Sequence, residues 1–153
     1  MESFKIKDLL KRIEDFKSPK LYSLIEMCKY IWGDEYSSVD EKIYIKNLYN
    51  FIYGQCEIDG IEIYVVHENK FYVIFYQKNE SSASQFCLKS YNLKDVESLE
   101  LREHKAYGSI CLDLNINFKN NCSYNLNSLS DTYEDRASTE YAELIKDIFN
   151  KLK

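Results

Sequence analysis

The stretch IEIYVVHENKFYVIFY, residues 61–76, is where the spacing of apolar residues changes from helical to extended. Two runs rich in β-branched and aromatic residues, 61–66 and 71–76, flank the polar segment His67-Glu68-Asn69-Lys70, which has the length of a hairpin loop. The second run is apolar almost throughout, which favours burial on both faces. We therefore predict a β-hairpin here and a sheet that begins near residue 56.

Four further strands are predicted after this hairpin. Residues 81–84 form a polar loop, residues 85–91 alternate, and Val96, Leu99 and Leu101 indicate the next strand. Between residues 110 and 118 every even position is apolar, which is typical of a strand with one buried face. Asn120-Asn121 tolerates positive φ and predicts a turn into a returning strand, residues 124–126. The expectation is a six-stranded antiparallel sheet or a partly open barrel.

Helical spacing marks both ends of the chain. The first apolar stripe is Ile6, Leu9, Leu10, Ile13 and Phe16; the second follows Ser18-Pro19 and ends at Gly33. Ser38-Val39-Asp40-Glu41 resembles a capping box and predicts a third helix that carries Ile45, Leu48, Tyr49 and Ile52 and stops before Gly54. A C-terminal amphipathic helix is predicted from Tyr141, Leu144, Ile145, Ile148, Phe149 and Leu152.

Length and charge limit the functions to be considered. A chain of 153 residues predicts one compact unit, divided into an N-terminal helical segment, 1–54, and a sheet with its closing helix, 55–153. The net charge of -5 argues against nucleic acid as a partner. The five cysteines have no short paired spacing, the N-terminus has no apolar signal segment, and no apolar run could span a membrane. A cytoplasmic location is therefore expected.

The order of these parts resembles a pleckstrin-homology-like (PH-like) architecture over about residues 56–153. The similarity lies in the segment NLKDVESL, 92–99, in the run 112–126 with its Asn120-Asn121 turn, and in the acidic linker before EYAELIK, 140–146. The chain is similar to a small bacterial family of unknown function in which helices precede such a domain. The resemblance implies an antiparallel sheet closed by a C-terminal helix. It also implies that any lipid site would use basic residues near the first hairpin, where this chain offers Lys70 and, further on, Lys78.

No residue pattern predicts catalysis, a metal or a cofactor. His67 and His104 fall at predicted strand ends or loops, where a structural or surface role is expected. Cys28 is predicted to be a core residue and Cys111 to pack on the surface or on the second face of its strand. Asp131, Glu134 and Asp135 lack the glycine and the distal glutamate of a calcium loop, so helix N-terminal charge is the preferred interpretation.

Three binding functions remain open. Non-catalytic recognition of a protein or peptide is the main prediction. Seven tyrosines would supply contact area for it if they are exposed: Tyr22, Tyr30, Tyr36, Tyr44, Tyr53, Tyr107 and Tyr133. Five other tyrosines are assigned to the core: Tyr64, Tyr72, Tyr76, Tyr124 and Tyr141. Peripheral membrane association is an alternative, through Lys70, Lys78 and the basic residues of the first helix, Lys5, Lys7, Lys11, Arg12, Lys17 and Lys20. A small acidic inhibitor or immunity-type protein that covers a basic toxin is a third possibility.

Overall fold

The computed structural model describes residues 5–15, 20–46, 60–77, 85–106, 108–131 and 135–153. Within these residues the chain forms two antiparallel sheets and three α-helices. The chain is therefore an α+β protein with helices at both ends. The two sheets contain four and three strands.

The first two predicted helices are confirmed. Helix α1 spans Ile6–Asp15 and helix α2 spans Leu21–Trp32. Gly33, with a φ of 73°, ends α2 in a conformation that favours glycine, and its N–H bonds to the Lys29 carbonyl. The buried side chains are Ile6, Leu9 and Leu10 from α1, and Leu24, Cys28 and Ile31 from α2. The core position predicted for Cys28 is correct, whereas the Ser18-Pro19 start lies outside the described residues.

The third predicted helix is wrong where the structure describes it. Residues Gly33–Ser38 form a 3-10 turn, Val39 is extended, and strand β1 covers Tyr44–Lys46. Ile43, Tyr44 and Ile45 are consecutive and all buried, so both faces of this extended segment are covered. Burial against the rest of the fold outweighs the local capping signal. Residues 47–59, which include the rest of the predicted helix and the 54/55 boundary, lie outside the described residues.

The first sheet contains the predicted hairpin. Strands β2 (Glu62–His67) and β3 (Lys70–Gln77) pair around a two-residue loop in which Glu68 has a φ of 56°. Strand β4 (Gln85–Asn92) follows, and the strand order is β1-β2-β3-β4. β1 enters this sheet by antiparallel pairing with β2, with Tyr44 opposite Tyr64.

The second sheet contains β5 (Val96–Ala106), β6 (Ser109–Phe118) and β7 (Cys122–Asn127), in that order. Asn120 and Asn121 adopt φ values of 77° and 60°, as the predicted turn requires. The described residues thus form seven strands in two sheets, and the prediction of one six-stranded sheet or a partly open barrel is corrected. The additional strand is β1, which had been assigned to a helix.

Helix α3 spans Asp135–Leu152 and lies mainly on β6, with further contacts to β7, β1 and β5. Its predicted stripe is buried, with Phe149 only partly so. One apolar cluster joins side chains from both sheets and all three helices of the described chain, and its aromatic part includes Tyr91 stacked on Phe118 at 4.4 Å between ring centroids. The tyrosines assigned to the core are all buried or partly buried in this cluster.

Candidate functional site

A cleft of about 500 Å³ opens between the end of α2, the segment that follows it and the β2–β3 hairpin. We call it the acidic cleft. It is lined by Ile31, Trp32, Glu35, Ser38, Val39, Asp40, Glu41, His67 and Glu68. Val39 is extended after the 3-10 turn, and of the two carboxylates that follow, Glu41 contacts His67 of the hairpin whereas Asp40 contacts Lys5.

Glu41 joins the two walls of the acidic cleft. Its Oε2 accepts a hydrogen bond from Trp32 Nε1 at 3.0 Å and lies 3.1 Å from His67 Nδ1. The Trp32 and His67 rings meet edge to face, with 6.3 Å between their centroids. Both polar contacts use Oε2, so Glu41 Oε1 stays outside them. The carboxylate is therefore held in place, with one oxygen available to a ligand.

The other carboxylates differ in how they are engaged. Lys5 Nζ lies 2.5 Å from Asp40 Oδ1 and Lys7 Nζ lies 3.7 Å from the same atom. The hydrogen bond from Lys5 lowers the pKa of Asp40, and the charges of both lysines add to this effect. Glu68 Oε1 is 3.8 Å from His67 Nε2. Glu35 is exposed on the rim, so the cleft presents negative charge beside an indole ring.

The arrangement of carboxylates beside an indole ring is chemically suited to binding a cation. Ser38 Oγ donates to the Glu35 carbonyl at 3.0 Å, so the hydroxyl that lines the cleft is used by the backbone. In the described part of the chain, no group of three or more His, Cys, Asp or Glu side chains could hold a metal ion. Carboxylates beside an aromatic ring are typical of sites for ammonium or guanidinium groups.

The sequence-predicted ligand residues do not come together here. Lys70 is exposed at the start of β3, opposite His67 in the strand pairing, and does not line the cleft. Lys78 lies outside the described residues. His67 takes part in the cleft, whereas His104 is exposed on β5. Trp32, Glu41 and His67 were missed as a group because they come from three separate elements, and no sequence spacing signals that contact.

The predicted basic face of α1 is partly neutralised. Lys5 and Lys7 both point to Asp40, and Lys20 Nζ lies 4.5 Å from the centroid of the Tyr76 ring. Lys11 is exposed, while nothing is described of the Arg12 side chain or of Lys17. Among the described helices, none combines the length and the apolar character needed to cross a bilayer.

The seven tyrosines considered as contact area fall into three groups. Tyr22 and Tyr30 on α2 are 77% and 74% exposed, and Tyr36 is half-buried. Tyr44 is buried, so it does not meet the condition for supplying contact area. Tyr53, Tyr107 and Tyr133 lie outside the described residues. The surface aromatic area that is described therefore lies on α2.

A second polar cluster, which we call the buried junction, joins β1 to the end of β7. Asp131 is 3% exposed; its Oδ2 accepts hydrogen bonds from the Tyr44 hydroxyl and, at 2.9 Å, from the Asn127 N–H. Lys46 Nζ lies 3.8 Å from Asp131 Oδ1 and donates to the Asn125 carbonyl at 2.6 Å. Burial raises the pKa of Asp131, and burial together with Asp131 raises that of Tyr44.

The buried junction corrects one prediction. Asp131 is not a helix-terminal charge, because it precedes α3 and is enclosed by β1 and β7. Cys111 is likewise buried, so of its two predicted positions the surface one is wrong. The buried junction links β1 to the end of β7 within the fold.

Comparison of the chain with protein-family models, with curated proteins and with solved structures found no match.

Proposed function

We propose that the protein is a non-catalytic recognition module whose acidic cleft binds a basic segment of a partner protein. The observation that carries this proposal is the Glu41 carboxylate, held beside the Trp32 indole at the centre of a cleft of about 500 Å³. A site held in place before binding loses less side-chain entropy when the partner arrives.

The chemistry of the cleft favours an arginine side chain of the partner. A guanidinium group can donate to Glu41 Oε1 and Glu68 while its flat face rests on the Trp32 ring. Charge complementarity of this kind contributes to specificity and to the rate of association. The net charge of -5 adds a long-range attraction to a basic partner.

The order of the structural elements also supports protein recognition. Antiparallel hairpins followed by a C-terminal helix have the order that the PH-like resemblance implies, although a fold does not by itself define a function. The acidic inhibitor or immunity-type function is a special case of the same proposal, in which the basic partner is a toxin. We place this activity in the cytoplasm, where the four described cysteines, all free thiols, would stay reduced.

Peripheral membrane association is the less favoured alternative. Two of the lysines that it requires, Lys5 and Lys7, are engaged by Asp40, and the nearby cleft carries carboxylates that anionic lipids would repel. Lys11 and Lys70 remain exposed. Each such charge contributes about 1 kcal/mol at an anionic surface, and two are too few for stable attachment.

Trp32 is the only tryptophan of the chain, so its fluorescence reports on the cleft directly. We expect saturable quenching when the protein is titrated with a tri-arginine peptide at low salt. Glu41→Gln keeps an oxygen for Trp32 but removes the charge, and is expected to raise the Kd about three- to tenfold. Glu143→Gln, an equal charge change on the solvent side of α3, is the control.

Two results would refute the proposal. One is a Trp32 signal that does not respond to the peptide while the protein remains folded by circular dichroism. The other is an equal loss of binding in Glu41→Gln and Glu143→Gln, which would indicate attraction by net charge alone. Co-sedimentation with anionic vesicles that is lost in Lys70→Ala would favour the membrane alternative instead.

A further inference from the structure

The four sheet edges in the described chain are not equally covered. β1 and β7 are tied to each other, since Lys46 of β1 bonds to the Asn125 carbonyl of β7. The edge of β4 lies against α2, where Ser23 Oγ accepts the Phe86 N–H at 2.7 Å. No segment of the described chain pairs with the outer edge of β5. An uncovered edge presents N–H and C=O groups that another strand can pair with.

β5 is also the longest strand of the described chain, with 11 residues. Its side chains from Arg102 to Lys105 are all exposed, as are Glu97, Ser98 and Glu100. Charged side chains normally protect an edge against indiscriminate pairing. Their order along β5 nevertheless permits one particular pairing.

The charges of β5 are self-complementary about Leu101. When two copies pair antiparallel with Leu101 opposite itself, Glu100 of each copy faces Arg102 of the other, and Glu97 faces Lys105. Moving the centre by one residue would place Glu100 opposite Glu100 or Arg102 opposite Arg102. Opposite charges across two strands stabilise a pair and like charges destabilise it, so the pattern selects one register.

The structure places the inner charges of this pairing, Glu100 and Arg102, suitably for this register. Arg102 Nε donates to Glu100 Oε1 at 2.7 Å within the same strand, so both side chains lie on one face of β5. A guanidinium has further N–H groups with which to reach a second carboxylate. The irregularity between Val96 and Ser98 lies at the Glu97 end, so the inner charges define the register best.

We infer that the chain forms a two-fold symmetric dimer in which β5 pairs antiparallel with β5 of a second copy, centred on Leu101. The two three-stranded sheets then become one six-stranded sheet across the dimer. In an antiparallel pair, every second residue exchanges two N–H···O=C hydrogen bonds with the residue opposite, so the pairing of two β5 strands supplies roughly ten hydrogen bonds. The acidic cleft lies on the other sheet, so this inference does not depend on the proposed function.

Charge reversal at the inner positions tests both the dimer and its register. The mass of the wild-type protein is measured by sedimentation equilibrium over a range of concentrations at low salt. Glu100→Arg and Arg102→Glu each place like charges opposite one another twice, and each is expected to raise the dimer Kd at least about tenfold. An equimolar mixture of the two variants restores both opposite-charge pairs in a heterodimer, and the double variant Glu100→Arg/Arg102→Glu restores them in a homodimer.

Lys146→Glu, on the solvent side of α3, is the matched control, because it changes the net charge as much as Arg102→Glu does. It is expected to leave the dimer Kd unchanged. A wild-type protein that is monomeric at the highest concentrations would overturn the inference. So would a dimer that both single variants leave intact, or a mixture of the single variants that stays monomeric while each is folded by circular dichroism.

Discussion

The hydrogen bond between Tyr44 and Asp131 is expected to be a major local contribution to stability. Asp131 Oδ2 serves two donors, the Tyr44 hydroxyl and the Asn127 N–H, and both lie in a region that water does not reach freely. Asp131→Ala leaves the Asn127 N–H without its acceptor and the Tyr44 hydroxyl with only the Asn127 carbonyl, 3.5 Å away. Each buried group that loses its partner costs about 1–3 kcal/mol. Relief of the buried carboxylate offsets part of this, so we expect a net loss of roughly 2–3 kcal/mol.

Tyr44→Phe removes the same hydrogen bond from the other side. The ring keeps its place against Tyr141, at 5.0 Å between centroids, so the change is confined to the hydroxyl. A hydrogen bond to a charged group contributes about 1.5–3 kcal/mol. The double variant loses this bond only once, and its loss of stability should fall short of the sum of the single losses by about 1–2 kcal/mol.

Urea unfolding followed by circular dichroism at neutral pH measures all three free energies of unfolding. Tyr22→Phe removes a hydroxyl from an exposed tyrosine and serves as the control, with an expected change within about 0.5 kcal/mol. The coupling between Tyr44 and Asp131 would be refuted if the loss of stability in the double variant equals the sum of the two single losses to within about 0.3 kcal/mol. A stability of Tyr44→Phe equal to that of Tyr22→Phe would show that the hydroxyl makes no net contribution.

Two further predictions follow from the buried groups. Because burial raises the pKa of Asp131 above 3.8, the folded state binds this proton more tightly than the unfolded chain. The stability that comes from this proton is present below pH 3.8 and is lost as the pH rises through the raised pKa, so Asp131→Asn should gain stability relative to the wild type as the pH rises above 3.8. Urea-unfolding free energies of the two proteins that stay parallel over pH would contradict this. Burial also raises the pKa of the Cys28 thiol to about 12. Alkylation at neutral pH should therefore modify the less buried Cys87 and Cys122 well before Cys28, as located by mass spectrometry. Equal rates of alkylation would show that Cys28 is not packed in the core beneath α2.

Elements with a strong local signal were predictable because their chemistry lies within a few residues. The β2–β3 hairpin follows from two apolar runs around a short polar loop, and the Asn120-Asn121 turn follows from the tolerance of asparagine for positive φ. Helix α3 follows from its apolar spacing. In each of these elements the local preference and the tertiary environment agree.

The third predicted helix is wrong because there the local preference and the tertiary environment disagree. A capping-box pattern at Ser38–Glu41 is a local preference worth about 1 kcal/mol, and burial of Tyr44 and Ile45 beside β2 outweighs it. Asp131 was misassigned for a related reason. Its role depends on Tyr44, which is 87 positions away in the chain, and nothing near Asp131 in the sequence announces that contact.

By itself the sequence determined the α+β class, the hairpins, two of the N-terminal helices and the closing helix, because periodicity and turn chemistry act over short distances. Only the tertiary structure decided that the strands form two sheets, that Tyr44 is buried, and that Trp32, Glu41 and His67 meet in one cleft. Contacts between residues far apart in the chain arise from the packing of whole elements, and patterns in a single sequence do not indicate which elements pack together.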